Sequence, residues 1–301
     1  MTSKDNKSDE IVVKAHKAAK QSKNDTHNQP EAIYRQAIYR IACIGFVYTK
    51  GGKRLDIALE RAFKRIYQGH SGRQIALLPG VTEQGWPRKA RHVRKLAKRY
   101  GVSVLFERGS AKWRAHYRAY DSAGTRLPVA IYQRFGKGKH AQMDKTMVAD
   151  LVAECRLGGE RVINLDGLPV GLLVCGETGM FEHPRSSSQP QLQHGLTQPL
   201  FDNVPLIFNG AHNTMRRWRE LRPKLKYISS GKRWVFYATN CNRKTWGSST
   251  LHIYHDGNQI ADSKLKAPMN HAGATIYRVA DPKKRDLFTA LVADIPGHAL
   301  I

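Results

Sequence analysis

Residues 161–177 read RVINLDGLPVGLLVCGE, and this stretch decides the fold. Its Asp166-Gly167 pair is a strong signal for the tight turn of a β-hairpin. After the turn, LPVGLLVC is an almost continuous apolar run, which is typical of a strand covered on both faces. The run ends at Cys175, which is followed by the small Gly176 and by Glu177. We therefore expect Cys175 at the C-terminal edge of a buried strand, where α/β sheets place their functional sites.

Upstream, the apolar pattern predicts two consecutive β-α-β units. The runs IACIGFVY (41–48), IALLP (75–79) and VSVLFE (102–107) are typical of buried strands. Between them, apolar residues recur every three or four positions over 55–66 and over 90–100, as expected for two amphipathic helices. Two such units imply a parallel sheet.

Downstream, hairpins replace these units. The pattern predicts a hairpin around 121–124, a helix over 143–155, buried strands over 203–211 and 233–241, a basic helix over 216–232 interrupted by Pro223, and a final hairpin around 256–257. The chain has no clear interdomain linker, so we interpret residues 36–301 as one α/β domain. Residues 1–35 are polar with few large apolar groups, which predicts a disordered tail.

Composition narrows the class of protein. No segment of the 301 residues reaches the roughly 18 to 20 apolar positions of a membrane span, and the N-terminus is too polar for a signal peptide, so we expect a cytoplasmic protein without a membrane partner. The four cysteines lie far apart, with no CxxC and no HExxH, which predicts neither a disulfide framework nor a metal site. Cys43 and Cys155 lie in apolar runs and are expected to be small buried hydrophobes.

The formal net charge of +26 is the most unusual bulk property. Basic residues crowd 88–99 and 216–226, and a charge of this size attracts polyanions. Three interpretations stay open: nonspecific binding of nucleic acid or of an acidic partner, electrostatic steering of an anionic substrate, and solvated helix faces with no binding role.

The motifs and their order resemble the nitrilase, or carbon-nitrogen hydrolase, superfamily. That family's hairpin DG-x-x-V-G-x-L-I-C, with an acid two residues after the cysteine, stands here as residues 166–177. Similar landmarks over most of residues 38–262 are IACIGFVY, IALLPGVTEQGWP, AYDSAGTRLPVAIYQRF, NVPLIFNGAHN, RWVFYATN and GSSTLHIYHDGNQIAD. The resemblance implies a four-layer α-β-β-α sandwich, usually assembled as a homodimer.

The resemblance also implies a chemistry based on a cysteine, a glutamate and a lysine, without metal or organic cofactor. Cys175 would be the nucleophile of a thiol hydrolase that cleaves a non-peptide carbon-nitrogen bond in a small molecule, an amide rather than a nitrile. Glu177 would support the active-site loop or the lysine, the alternative being an exposed carboxylate. Two alternatives remain for the whole chain: Cys175 is an inert buried thiol, or the protein is a catalytically degenerate scaffold that binds through its basic surface.

The chain departs from the family pattern at the other two catalytic positions. Gly80 occupies the place of the base glutamate, so the sequence offers Glu83, three residues later, or no base. Three residues of extended chain displace a side chain by about 10 Å. At the lysine position the sequence has Arg134, which keeps the charge but not the geometry of an ammonium group. Lys137 and Lys139 are the candidate lysines, the alternative being two solvated surface residues.

Overall fold

A computed structural model describes residues 37–48, 53–79, 87–108, 116–129, 131, 144–174, 176–182, 190–195, 200–211, 218–239, 241–242, 251–281 and 287–300. The predicted tail over residues 1–35 lies outside this part of the chain. The first half contains β1 (Ile38–Tyr48), α1 (Lys53–Tyr67), β2 (Arg73–Leu78), α2 (Pro87–Tyr100), β3 (Ser103–Arg108), β4 (His116–Tyr120), α3 (Lys145–Glu154), β5 (Val162–Leu165), β6 (Leu168–Val174), β7 (Phe181–Glu182) and β8 (Gln191–Leu192). The second half contains β9 (Leu206–Ala211), α4 (Trp218–Ser229), β10 (Trp234–Thr239), β11 (Cys241–Asn242), β12 (Leu251–His255), β13 (Asn258–Asp262), β14 (Met269–His271), β15 (Ala274–Ala280) and β16 (Phe288–Pro296).

These elements form a four-layer α-β-β-α sandwich, as the resemblance implied. Sheet 1 has the order β14-β15-β16-β1-β2-β3-β4, with β11 paired to β1, and sheet 2 has the order β13-β12-β10-β9-β6-β5. One apolar core fills the space between the sheets, a second lies under α1 and α2 on sheet 1, and a third lies under α3 and α4 on sheet 2. The strands of the central layers are buried on both faces, which explains their continuous apolar runs.

Several predicted elements are confirmed. β1, β2 and β3 pair in parallel with α1 and α2 as their crossovers, and β5 and β6 form the hairpin that turns at Asp166-Gly167. β12 and β13 form the predicted final hairpin around residues 256–257. Asp144 caps α3, since its carboxylate accepts a hydrogen bond of 2.8 Å from the backbone N–H of Met147.

Three details differ from the sequence interpretation. Among the described residues around the 121–124 turn, β4 is the only regular strand, because the described part of the returning chain (121–129 and 131) makes a single bridge, Tyr120 to Arg126, and a few isolated hydrogen bonds. Pro223 lies inside a continuous α4 rather than interrupting it. The sheets are mixed rather than parallel, because β16 lies antiparallel to β1 in the middle of sheet 1.

A histidine pair connects the two sheets away from their C-terminal strand edges. Nδ1 of His255 on β12 lies 3.0 Å from Nε2 of His271 on β14, and the ring of Trp234 packs 4.3 Å from that of His255. Burial, and then the charge of His271, lower the pKa of His255, while Asp256 and the backbone of Lys232 act in the opposite direction. The folded state therefore favours neutral His255, and the two rings share a hydrogen bond only while one ring nitrogen is unprotonated.

We expect this pair to destabilise the fold in acid. Because the folded-state pKa of His255 lies below its unfolded value of 6.5, its contribution to stability is present above pH 6.5 and is lost as the pH falls through the lowered value. In His271→Gln the like charge is gone but the burial of His255 remains, so the contribution of this site to the loss of unfolding free energy between pH 7.5 and 5 should become smaller without disappearing. Urea unfolding at both pH values measures this. His298→Gln, at an exposed histidine, is the matched control, and an equal effect in both variants would contradict the prediction.

Candidate active site

The C-terminal ends of the parallel strands in both sheets lie on the same side of the molecule. β6, β9 and β10 run parallel within sheet 2, and β1, β2 and β3 run parallel within sheet 1. β11, which directly follows β10, pairs in parallel with the end of β1, Val47 opposite Cys241. The edge that follows β6 therefore faces the edge that follows β2 and β3, so residues from both sheets can contribute to one site.

A sharp turn follows β6 at the position of the predicted nucleophile. β6 ends at Val174, Gly176 has φ 92° and ψ −25°, and a 3-10 helix covers Glu177–Met180. The left-handed conformation of Gly176 is costly for any residue with a β-carbon. A strand that turns sharply into a helix is the arrangement that exposes the nucleophile at the sheet edge of α/β-hydrolases. Glycine at 176 is therefore required by the backbone that follows Cys175.

A buried ion pair fixes this turn. Glu177 is completely buried, and its carboxylate accepts bidentate hydrogen bonds of 2.8 and 2.9 Å from the guanidinium of Arg161, which is 2% exposed. Oε2 of Glu177 also accepts a 2.7 Å hydrogen bond from the backbone N–H of Val174. Arg161 donates its Nε–H to Glu154 at 3.1 Å. One guanidinium thus ties the end of α3 to the turn after β6, and Glu177 is not the exposed carboxylate that the sequence left open.

Further hydrogen bonds stabilise the same region. The Lys224 ammonium on α4 donates to the carbonyl of Thr178 at 3.1 Å, and the Gln193 amide donates to the carbonyl of Gly179 at 3.0 Å. Buried Asn209 donates its side-chain amide to the carbonyl of Leu173 at 3.1 Å, which links β9 to β6 just before the turn. The backbone on both sides of position 175 is therefore held by side chains from three other elements.

The electrostatics of the region favour a fixed positive charge. Burial acts against the charge of Arg161, but Glu177 and Glu154 overcome it and raise the pKa of the guanidinium. At two cysteine thiols the effect of burial prevails instead. Burial raises the pKa of both Cys43 and Cys155 well above the ordinary value. Both are completely buried, which confirms that they are small core residues rather than reactive groups.

A second carboxylate, which the sequence interpretation did not single out, lies near this edge on the opposite sheet. Glu107, the penultimate residue of β3, is 2% exposed. Leu105 points into the core between the sheets, so the strand alternation directs Glu107 to the same side. Tyr117 is its register partner on β4, and the Tyr117 hydroxyl occupies the space that a β-carbon would need at Gly210 on β9.

Gly210 connects this cluster to the turn. It is paired in parallel register with Val174, the residue before Cys175. Facing sheets are about 10 Å apart. The side chain of Glu107 on one sheet and the side chains at the end of β6 on the other therefore enter the same gap. Any β-carbon at position 210 would displace Tyr117, which explains a glycine in a strand that is otherwise bulky.

The other residues predicted for the site lie outside the described part of the chain. These are Cys175, Gly80, Glu83, Arg134, Lys137 and Lys139. Their roles stay predictions. Within the described ranges, no group of three or more His, Cys, Asp or Glu side chains has the arrangement of a metal site, and no helix has the length and apolar composition to cross a bilayer.

A cavity of about 870 Å³ lies at the other end of β6. Its walls include Leu168 and Pro169, the first residues of that strand, together with Asp202, Lys232 and Arg233. Seven strand residues span roughly 23 Å, so this cavity is remote from position 175. We place the candidate site at the C-terminal edge, because the fixed turn and the buried carboxylate are found there and not at the cavity.

The fold is similar to that of solved structures of other proteins. It is similar to an amidase from Nesterenkonia sp., with a TM-score of 0.50 and 13% sequence identity over 88% of this chain and 93% of that one. A cysteine-to-alanine variant of the Nesterenkonia AN1 amidase, described as a nitrilase-superfamily protein, gives a TM-score of 0.50 at 12% identity, over 88% and 94% of the two chains. The chain has a nitrilase-type fold. No protein-family model and no curated protein sequence matches it.

Proposed function

We propose that this protein is a thiol hydrolase that cleaves a non-peptide carbon-nitrogen bond through an acyl intermediate on Cys175. The observation that carries the proposal is the fixed turn after β6, in which left-handed Gly176 and buried Glu177 directly follow the cysteine position. A structural thiol needs no such turn, whereas a nucleophile must be held at a defined place. The amidase fold of the similar solved structures supports an amide rather than a nitrile as substrate.

In the proposed reaction, the Cys175 thiolate attacks the amide carbon and forms a tetrahedral intermediate. A carboxylic acid protonates the leaving nitrogen, the carbon-nitrogen bond breaks, and ammonia or an amine departs, leaving a thioester. The resulting carboxylate then removes a proton from water as its oxygen attacks the thioester, which releases a carboxylic acid and restores both the Cys175 thiolate and the protonated carboxyl group. Arg134, Lys137 and Lys139 are the proposed cations that stabilise the oxyanion.

We propose two carboxylates as candidates for the proton-transfer role, because Gly80 cannot fill it. Glu83 follows Gly80 by three residues in the sequence. Glu107 enters the gap between the sheets from β3, next to the strand whose end carries the base in the family pattern. Glu177 cannot transfer protons efficiently while both of its oxygens accept hydrogen bonds from Arg161, so we assign it to positioning the turn.

The decisive test is the pH dependence of cysteine alkylation. If the site activates Cys175, iodoacetamide should modify it rapidly near pH 6, about 2.5 units below the ordinary thiol pKa of about 8.5. Cys43 and Cys155 are internal controls in the same sample, since both are buried and have raised pKa values. Peptide mass spectrometry reads each cysteine separately. Modification of Cys175 no faster than that of free cysteine would refute the hydrolase proposal.

Turnover provides the second part of the test. We expect Cys175→Ala to abolish ammonia release from a panel of small amides, such as acetamide, propionamide and benzamide, with the matching nitriles as the alternative substrates. Cys43→Ala removes a buried thiol elsewhere and should keep the activity. Full activity in Cys175→Ala would exclude the acyl-enzyme route.

We also propose that the protein is a homodimer and that it lies in the cytoplasm. Analytical ultracentrifugation would check the first proposal, and cell fractionation would check the second.

A further inference from the structure

The outer helical layer over sheet 1 carries much more positive charge than the layer over sheet 2. α1 and α2 contain twelve Lys and Arg residues and only two acidic residues, a net charge of +10. α3 and α4 contain five basic and three acidic residues, a net charge of +2. Both layers cover one face of a sheet, so this shared structural role does not explain the difference.

α2 is the centre of this charge. Seven of its 14 residues are Lys or Arg, and none is acidic. Its apolar side packs against sheet 1 through Ala90, Val93, Leu96 and Ala97. On the exposed side, Arg91, Lys95 and Lys98 make no ion pair with any residue that the structure describes.

This arrangement opposes the stability of the helix itself. Arg91 and Lys95, and likewise Lys95 and Arg99, are like-charged pairs four residues apart, and such pairs destabilise a helix. The first turn of α2 has no acidic residue, although a negative charge there would complement the helix dipole. The charge pattern is therefore unfavourable for folding, which favours a role in binding.

The face has the dimensions and charge of a duplex-binding surface. A 14-residue helix is about 21 Å long, and a duplex of that length carries about 12 phosphate charges. A groove of about 600 Å³ runs between the C-terminal halves of α1 and α2, lined by Arg61, Lys64 and Arg99 among others. The one acid that lines it, Glu60, is paired with Arg99 at 3.0 Å.

Within the part of the chain that the structure describes, the aromatic side chains that line the groove do not form a platform for bases. Tyr67 is buried, and half-buried Tyr100 packs 6.2 Å from Phe63. Stacking of single-stranded bases needs exposed rings, whereas contacts to a phosphate backbone need only Lys and Arg. The surface therefore fits a double-stranded backbone better than a single strand.

We propose that the α1–α2 face, defined by the exposed residues Lys64, Arg65, Arg91, Lys95 and Lys98, binds the phosphate backbone of double-stranded nucleic acid without sequence preference. The binding lies on the outer surface of sheet 1 and does not depend on the proposed hydrolase activity. An acidic protein segment is the competing occupant, and the test separates the two.

The experiment measures fluorescence anisotropy of a labelled 30-base-pair DNA duplex, and of an RNA duplex, across a series of NaCl concentrations. The variant Arg91→Gln/Lys95→Gln/Lys98→Gln removes three charges from the α1–α2 face. The salt slope of log K against log [NaCl] should become shallower by about 2.7, because each phosphate that is no longer neutralised reduces the slope by about 0.9. Two unrelated duplex sequences should bind equally.

The matched control removes the same charge from the opposite layer. Lys145→Gln/Arg219→Gln/Arg222→Gln changes three exposed residues of α3 and α4 and should leave the slope within about one unit of the parent value. An equal change in both variants would overturn the proposal, because binding would then follow total charge. Tighter binding to poly-L-glutamate than to the duplex would also overturn it. The α2 variant should unfold at the same or a higher temperature, since it loses repulsion.

Discussion

Replacing Arg161 with methionine should lower the free energy of unfolding by about 3–5 kcal/mol, the largest stability effect that we expect from one substitution. The guanidinium is 2% exposed and neutralises the fully buried carboxylate of Glu177. Methionine fills similar volume but leaves that carboxylate desolvated, and water cannot reach it. Urea unfolding at pH 7, followed by far-UV circular dichroism, measures the difference.

A matched ion pair that is less deeply buried provides the control. Arg40 and Asp294 also form a bidentate pair, with both distances 2.7 Å, but their side chains are 20% and 21% exposed. Arg40→Met should therefore cost about 1 kcal/mol or less. An equal cost for the two substitutions would contradict the prediction, because burial would then not determine the effect.

A double variant separates the effect of charge from the effect of packing. In Arg161→Met/Glu177→Gln the buried charge is gone, while the glutamine oxygen can still accept the N–H of Val174. We expect this variant to recover at least half of the stability that Arg161→Met loses. If it recovers none, the main role of Arg161 is its hydrogen bond with Glu154 at the end of α3.

The sequence was sufficient to predict many elements of this fold, while its four layers were implied by the resemblance to the nitrilase superfamily. Alternation and 3.6-residue periodicity are local properties, so the β-α-β units, the 166–167 hairpin and α3 could be read from short windows. The position of β16 could not be, because antiparallel pairing of residues 288–296 with the first strand depends on contacts some 250 residues apart in the chain. The expectation that Pro223 interrupts the helix was wrong, because tertiary packing of Leu221 and Leu225 keeps α4 continuous.

The sequence predicted the site residues that are neighbours in the chain, but not those that the fold brings together from distant positions. The motif identified Cys175 and Glu177 because both follow β6 directly in sequence. Arg161 was missed, although the hairpin register offered a signal, because the 166–167 turn places residue 161 opposite Leu172 near the end of β6. Glu107 was missed because its meaning depends on the facing sheet. Nothing in VSVLFE shows that its last residue is buried beside Tyr117.

The identity of the proton-transfer residue can be decided by comparing two amide substitutions. If Glu107 is the base, Glu107→Gln should reduce kcat for amide hydrolysis by about 10² to 10⁴-fold, because glutamine keeps the shape of the side chain but cannot carry a proton. Glu83→Gln, assayed by ammonia release on the same amide, should then change kcat by less than about threefold.

The reverse result, a large loss in Glu83→Gln with an active Glu107→Gln, would assign the base to the loop after β2. Glu60→Gln, on exposed α1, controls for the general effect of removing a negative charge from this basic protein. The alkylation rate of Cys175 in each variant is the readout that a merely structural role would not change. If the substituted residue is the base, its loss should remove the rapid alkylation of Cys175 at low pH. Glu107 would thereby supply from β3 the proton transfer that Gly80 cannot provide at the end of β2, because the C-terminal edges of these two neighbouring parallel strands open into the same gap between the sheets.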